Sequence, residues 1–272
     1  MNNIKKSYDQ NGYHIIKSTL GQQQIDNVVT AIGFVFRQQL NLLSISFIDN
    51  SDADIKGLYD KMNLLFRADL ERYIKVIKSL SNLKEVYELF FSNQVANLLE
   101  QIGISHSIIS TGPVLHIMSR DLKIPNGYYG LPPHQDYPSM CGSIDAPILW
   151  IPLVNINKDL YPLELIPQSH NKGIFPGKIS ENCYEIDQLC YQESDFVEVE
   201  VEKGDIVIMS PFTIHRSGIH GKNNTVRISC SMRFDNIEEK NFIKRAYPTA
   251  YKRTIDRDMF QRENLINNLF KL

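Results

Sequence analysis

Phe196-Val197-Glu198-Val199-Glu200-Val201-Glu202-Lys203-Gly204-Asp205-Ile206-Val207-Ile208-Met209 is the stretch that decides the fold class. After Phe196, valine and glutamate alternate through Glu202, the period of a strand with one packed face and one wet face. Lys203-Gly204-Asp205 reads as a tight turn. The four residues after it are apolar without alternation, as in a strand buried on both faces. Further short strands are expected on either side, at 106–109, 114–119, 148–153, 163–166 and 225–234, with Gly and Pro between them. The first hundred residues have a different texture. After a short strand within 11–17, apolar residues recur at helical spacing over 22–39, over 52–80 and over about 84–101. The segment 253–272 also reads as an amphipathic helix. The expected architecture is mainly β with flanking helices (α+β), a sandwich or barrel in a single domain. Residues 1–103 would give mostly helical support, 104–236 the β core and 237–272 a C-terminal helical segment.

The 272 residues carry a formal net charge of -2, with 43% hydrophobic and 22% charged residues, the composition of an ordinary soluble globular chain. That balance gives no support for a nucleic-acid or anionic-membrane partner. No run of 18 apolar residues exists to span a bilayer, and residues 1–10 lack the apolar stretch of a signal peptide. A cytoplasmic protein with a small-molecule ligand is expected. Cys141, Cys183, Cys190 and Cys230 lack Cys-x-x-Cys spacing, so zinc-finger and thioredoxin readings have no basis, and free thiols are expected.

His134-Gln135-Asp136 carries the candidate chemistry. On a strand, residues i and i+2 share a side, so His134 and Asp136 reach one ion while Gln135 points away. Two imidazoles and one carboxylate on one face of an octahedral metal are the ligand set of non-haem Fe(II) oxygenases. The second imidazole must come from elsewhere, and His215, presented after an apolar strand and the loop Ser210-Pro211-Phe212-Thr213, is well placed to supply it. His-x-Asp alone is a weak signal, and a surface histidine beside a carboxylate is its bland reading. The strand that carries Arg227, twelve residues after His215, adds weight. There Val226, Ile228, Cys230 and Met232 face one way, and Arg227, Ser229, Ser231 and Arg233 the other. The polar side is either solvated or lines a lumen in which an arginine fork and a hydroxyl clamp a carboxylate.

From about residue 128 to 234 the chain resembles the phytanoyl-CoA dioxygenase family of Fe(II)/2-oxoglutarate oxygenases. The matching residues are Pro133-His134-Gln135-Asp136, Trp150-Ile151-Pro152-Leu153, Leu165-Ile166-Pro167-Gln168-Ser169-His170-Asn171-Lys172-Gly173, Gly204-Asp205, His215-Arg216-Ser217 and Arg227-Ile228-Ser229. Asn11-Gly12-Tyr13-His14-Ile15-Ile16 resembles the family's opening strand. The resemblance implies a double-stranded β-helix (jelly-roll, cupin-like) core with helices packed outside. It also implies iron held by His134, Asp136 and His215, and 2-oxoglutarate paired with Arg227 and helped by Ser217 or Ser229 and by Trp150. The implied activity is oxidation of a small metabolite by dioxygen, with release of succinate and carbon dioxide. Gln135, Tyr128, His170 and Arg233 are candidates for contacting the primary substrate. Departures from the family pattern are Gln168, where the Pro-Gly-Ser-His motif has glycine, and Tyr161-Pro162-Leu163 before it. Two other readings stay open. One is a catalytically silent jelly-roll that binds a metabolite; the other is a redox-inert metal enzyme of cupin type, which has no need of Arg227.

Overall fold

The computed structural model describes residues 3–48, 51, 53–125, 129–180 and 183–248. In chain order, α1 (Asn3–Asn11) and β1 (Tyr13–Ile16) lead into α2 (Gln22–Leu42), α3 (Ile55–Ala68), α4 (Leu70–Leu80), α5 (Lys84–Phe90) and α6 (Asn93–Gln101). The β-rich part follows, with β2 (Ser107–Met118), β3 (His134–Gln135), α7 (Tyr137–Met140), β4 (Ile148–Pro152), β5 (Leu163–Leu165), β6 (Gly177–Ile179) and β7 (Tyr184–Ile186). It is completed by β8 (Val197–Val199), β9 (Ile206–Met209), β10 (His215–Ser217), β11 (Arg227–Asn236) and α8 (Lys240–Lys244). The helix expected over 253–272 lies outside the described residues.

Two antiparallel sheets face each other as a double-stranded β-helix. The larger has the order β1-β9-β4-β11-β2 and the smaller β6-β7-β3-β10-β5-β8. The turn at Lys203-Gly204-Asp205 carries the chain from one sheet to the other, since β8 ends in the smaller and β9 begins in the larger. Gly204 has φ +93°, and a Cβ there would lie 2.7 Å from the carbonyl oxygen of Leu20, so this corner accepts only glycine comfortably. The Asp205 carboxylate locks the corner by accepting from the backbone N–H groups of Glu202 and Ser18 and from Lys17 Nζ. The alternation over 196–202 is realised only in part. β8 pairs for three residues, and Val201 meets Ile156 through an isolated bridge.

The apolar run of β9 is explained by its position. Ile206 and Ile208 join Leu149, Ile151, Ile228 and Cys230 against the helices, while Val207 and Met209 join Ile148, Trp150, Leu163 and Leu165 between the sheets. β11 is buried along its whole length, which removes the solvent-facing reading of its polar side.

Three sequence expectations are corrected. The single helix over 52–80 is two. Asp69 leaves the helical conformation (φ −153°, ψ 88°) and its carboxylate caps α4 by accepting from Arg72 N. The helix over 84–101 is likewise divided, with Ser92 capping α6 through Val95 N. The strands at 106–109 and 114–119 are one strand, β2, whose pairing with β11 is irregular between Ser231 and Phe234.

At the end of β11, Asp235 accepts from Ser143 N at 2.8 Å. Burial pushes its carboxyl from the ordinary 3.8 up to about 6, against the opposing pull of that hydrogen bond. The folded protein therefore binds a proton that the unfolded chain has released between these values, so stability falls as pH rises from about 4 to 6. Asp235→Asn removes the buried charge and is expected to stabilise the protein at pH 8 by on the order of 2 kcal/mol, with a smaller gain at pH 5. Thermal melts at the two pH values check this, and equal shifts would contradict it.

Candidate metal centre and co-substrate pocket

His134 on β3 and His215 on β10 are directly opposite in the antiparallel register. Cross-strand neighbours place their side chains together, and here the two imidazole centroids are 4.0 Å apart. Each ring is oriented in the same way. Nδ1–H of His134 donates to the Pro132 carbonyl at 2.8 Å, and Nδ1–H of His215 donates to that of Thr213 at 3.0 Å. Both protons being placed on Nδ1, both Nε2 lone pairs are turned inward.

Asp136 arrives differently from the strand alternation expected. β3 ends at Gln135, and Asp136 takes a helical conformation (φ −77°, ψ −33°) as the residue that opens α7. Its Oδ1 comes to 3.4 Å from His134 Nε2. Ligand atoms of His134, Asp136 and His215 all lie within 4.8 Å of one another, and all three residues are buried; it is the one such group found among the described residues. His134 Nε2 is buried without a hydrogen-bond partner, a cost that a metal ion would relieve. Burial lowers the His215 pKa to about 3, which leaves a neutral imidazole able to ligate. Burial alone would raise Asp136, but the Arg233 guanidinium and the adjacent imidazoles outweigh it and hold the carboxyl well below its usual range. The donor set and its protonation fit a divalent transition metal.

Arg227 lies on the same lumen, 1% exposed. Its Nη1 donates to the Tyr161 carbonyl at 2.9 Å, and its guanidinium carbon sits 5.8 Å from the Trp150 ring centroid. Ser217 Oγ accepts from Leu131 N at 3.2 Å, which leaves its proton to donate. Ser229 Oγ is buried and has no partner among the described residues. The geometry therefore keeps both hydroxyls in play. Trp150, Ile148, Leu163 and Met209 supply apolar wall.

The candidate substrate residues fare differently. Gln135 is turned away from the lumen, and its amide is consumed in holding two loops together. Nε2 donates to the carbonyls of Gly173 and Phe212, and Oε1 accepts from Phe175 N. His170 also lies off the lumen, with Nε2 donating to the Asp9 carbonyl. It helps pin the N-terminal segment to the loop that presents His215, where the Gly12 carbonyl accepts from Thr213 Oγ1 and Ser210 N. Arg233 does face the lumen, but its guanidinium is directed at Asp136. Tyr128 lies outside the described residues. Gln168 adopts φ +62°, the left-handed region that accounts for glycine in the family motif.

Gly12 packs tightly in this strap. With φ +79°, its Cβ would stand 2.4 Å from His170 Nδ1 and 2.6 Å from Thr213 Oγ1. Gly12→Ala is expected to cost about 2 kcal/mol or more and to weaken metal uptake through the displaced Thr213. Denaturant melts and metal titration of the variant measure both effects.

Two residues that shape the site, one lining the lumen and one behind it, escaped the sequence reading. His116, on β2, bonds Ser231 Oγ through Nε2 at 2.9 Å. Burial, then Arg227 and Arg233, lower its pKa to about 3. Its signal was the polar residue between Leu115 and Ile117. Tyr161, read as a departure from the family, seats Arg227 by its carbonyl and fills the space over Gly221 with its ring.

Fold and site together define a jelly-roll protein with a buried centre of two histidines and one carboxylate. The chain belongs to the phytanoyl-CoA dioxygenase family. The family profile, described as Phytanoyl-CoA dioxygenase (PhyH), matches residues 8–225 and so ends just before Arg227. Among solved structures the chain resembles the epimerase SnoN in complex with Fe3+, alpha ketoglutarate and nogalamycin RO. The identity is 15% over 86% of this chain and 82% of that one, with a TM-score of 0.56. The non-heme monooxygenase ThoJ in its apo form is 14% identical over 86% and 77%, with a TM-score of 0.56. EvdO2 from Micromonospora carbonacea var. aurantiaca, complexed with 2-oxoglutarate, is 13% identical over 86% and 90%, with a TM-score of 0.50. At these identities the likeness establishes the fold. No curated protein matches the chain by sequence. All four cysteines are free thiols, and no helix among the described residues is long and apolar enough to cross a membrane.

Proposed function

We propose that this protein is an Fe(II)- and 2-oxoglutarate-dependent dioxygenase that hydroxylates a small organic metabolite and releases succinate and carbon dioxide. The observation that carries the reading is that Arg227 lines the same lumen as His134 and His215, whose ligand atoms gather with that of Asp136. A metal alone needs the first three. A buried guanidinium over Trp150 suits a diacid that reaches the metal with its other end. Membership of the family and the contents named for SnoN and EvdO2 support the same choice.

In this reading His134 Nε2, His215 Nε2 and Asp136 Oδ1 hold the iron. The Pro132 and Thr213 carbonyls fix the two rings, so that the ligands need little rearrangement on loading. Arg227 binds the distal carboxylate of 2-oxoglutarate, and Ser217 or Ser229 donates to it. Trp150, Ile148, Leu163 and Met209 keep bulk water from the reacting centre. When bound, iron, 2-oxoglutarate and dioxygen supply the oxidising power, and the protein orients and excludes. The narrow, buried lumen, with Arg227 and Arg233 both turned into it, suits a small molecule as the substrate class.

Anaerobic addition of Fe(II) and then 2-oxoglutarate should give a visible charge-transfer band. Absence of the band at saturating ligand would remove the co-substrate and leave a plain metal enzyme or a binding protein. A metabolite screen for stimulated succinate release, with product mass checked for one added oxygen, separates hydroxylation from the epimerisation named for SnoN.

A further inference from the structure

Arg233 stands six residues beyond Arg227 on β11 and faces the same lumen, yet its guanidinium is spent on the metal's carboxylate. We propose that Arg233 is a positioning residue that makes Asp136 a one-oxygen ligand and so keeps the adjacent coordination positions open for the 2-oxo acid and dioxygen. This rests on the metal centre proposed above and adds a role that neither the ligand set nor the Arg227 clamp supplies.

Two donors converge on a single oxygen. Arg233 Nε reaches Asp136 Oδ2 at 2.8 Å and Nη2 reaches the same atom at 2.7 Å. The other oxygen, Oδ1, is the one beside His134 Nε2. A carboxylate can present one or both oxygens to a metal. For Asp136 to present both, Oδ2 would have to abandon two charge-assisted hydrogen bonds in a buried site, where such bonds are short and strong.

The guanidinium is itself held in place. Nη1 donates to Ser231 Oγ at 3.0 Å, and that hydroxyl lies 2.9 Å from His116 Nε2. Arginine has only donors, so Ser231 accepts from it and directs its own proton to His116. His116 then accepts at Nε2 as a neutral ring. The run Asp136–Arg233–Ser231–His116 is therefore consistent in donors and acceptors at every joint. The irregular pairing of β11 with β2 brackets Arg233 on both sides, whereas its pairing with β4 at Ile148 is regular. A bulge beside a site re-aims a side chain, and here the side chain is Arg233. Lysine offers no fork, so it can meet Oδ2 once but cannot reach Ser231 at the same time.

The test uses Co(II)-loaded full-length protein without co-substrate, whose visible d–d band reports coordination number. Arg233→Met should bind Co(II) with an altered band and should then bind 2-oxoglutarate at least about tenfold more weakly, the usual scale for losing an outer-shell partner. Arg233→Lys should restore part of both. A cobalt band and a 2-oxoglutarate affinity in Arg233→Met equal to those of the parent would overturn the proposal. Should Arg233→Met not fold, Ser231→Ala decides. It frees one edge of the guanidinium and must move the cobalt band in the same direction as the Lys variant; an unmoved band in Ser231→Ala overturns the proposal equally. The cobalt band is read before any 2-oxo acid is added. A parent protein that binds cobalt but no 2-oxoglutarate would therefore sink the proposed function, while the cobalt band alone would still decide whether Arg233 sets the way Asp136 meets the metal.

Discussion

His134→Ala is expected to abolish metal-dependent turnover, by about a thousandfold or more, while leaving the apo fold nearly as stable as before. In the proposed centre, loss of one of three protein ligands would remove the facial arrangement on which the open coordination positions depend. The small cost in stability has a local cause. His134 Nε2 is buried with no hydrogen-bond partner, so the ring carries a desolvation cost in the apo protein of about 1–3 kcal/mol, which alanine relieves in part. The lost packing and the vacated Pro132 carbonyl act in the other direction, so the two effects largely cancel. A sharper signature follows from mass action. At a metal concentration of about 100 times Kd, a bound ion stabilises the parent by about 2.7 kcal/mol. That gain should vanish in His134→Ala, and melting curves with and without added Fe(II) or Co(II) will show it. A variant that still melts higher with metal would place the ion elsewhere.

The second large effect is at Arg227. Arg227→Lys is expected to raise the 2-oxoglutarate concentration for half-saturation by about ten- to a hundredfold, because lysine keeps the charge but loses the fork that meets a carboxylate at two points. Metal affinity should change little, since Arg227 contacts Tyr161 and Trp150 rather than the three ligands. Lysine is preferable to alanine here, because Arg227 is among the largest fully buried side chains and deleting it would open a cavity. Titration of the charge-transfer band reads the co-substrate directly. Unchanged 2-oxoglutarate binding in the variant would favour a cupin-type enzyme that has no use for the clamp.

What the sequence disclosed, and what it withheld, follows from the range of the interactions. Strand period and turn chemistry are local, so the corner at Gly204 and the two buried faces of β9 were legible. The family motifs pointed to His134, Asp136 and His215, which the structure gathers, although Asp136 gets there by opening a helix rather than by alternation. Helix breaks were hidden because Asp69 and Ser92 sit among residues that keep the apolar stripe intact, and only their caps end the helices. β3, β6, β7 and β10 are two or three residues long, too short to display a period. Arg233 looked like a substrate residue because its partner, Asp136, lies 97 positions away and no local pattern couples them. Gln135 and His170 looked functional by proximity to motifs, whereas their hydrogen bonds tie loops together.

The order of strands in the larger sheet also bears on how the chain is made. Tyr13 pairs with Met209, and Ser107 with Asn236. A nascent polypeptide leaving the ribosome can coil its helices early, but its opening strand has no neighbour until most of the message has been translated. Closure of the sheet waits for β11, which is also the strand that brings Arg227 and Arg233. A transcript cut short before that strand yields no half-enzyme, only helices bearing an uncovered apolar face of the kind that chaperones and proteases recognise.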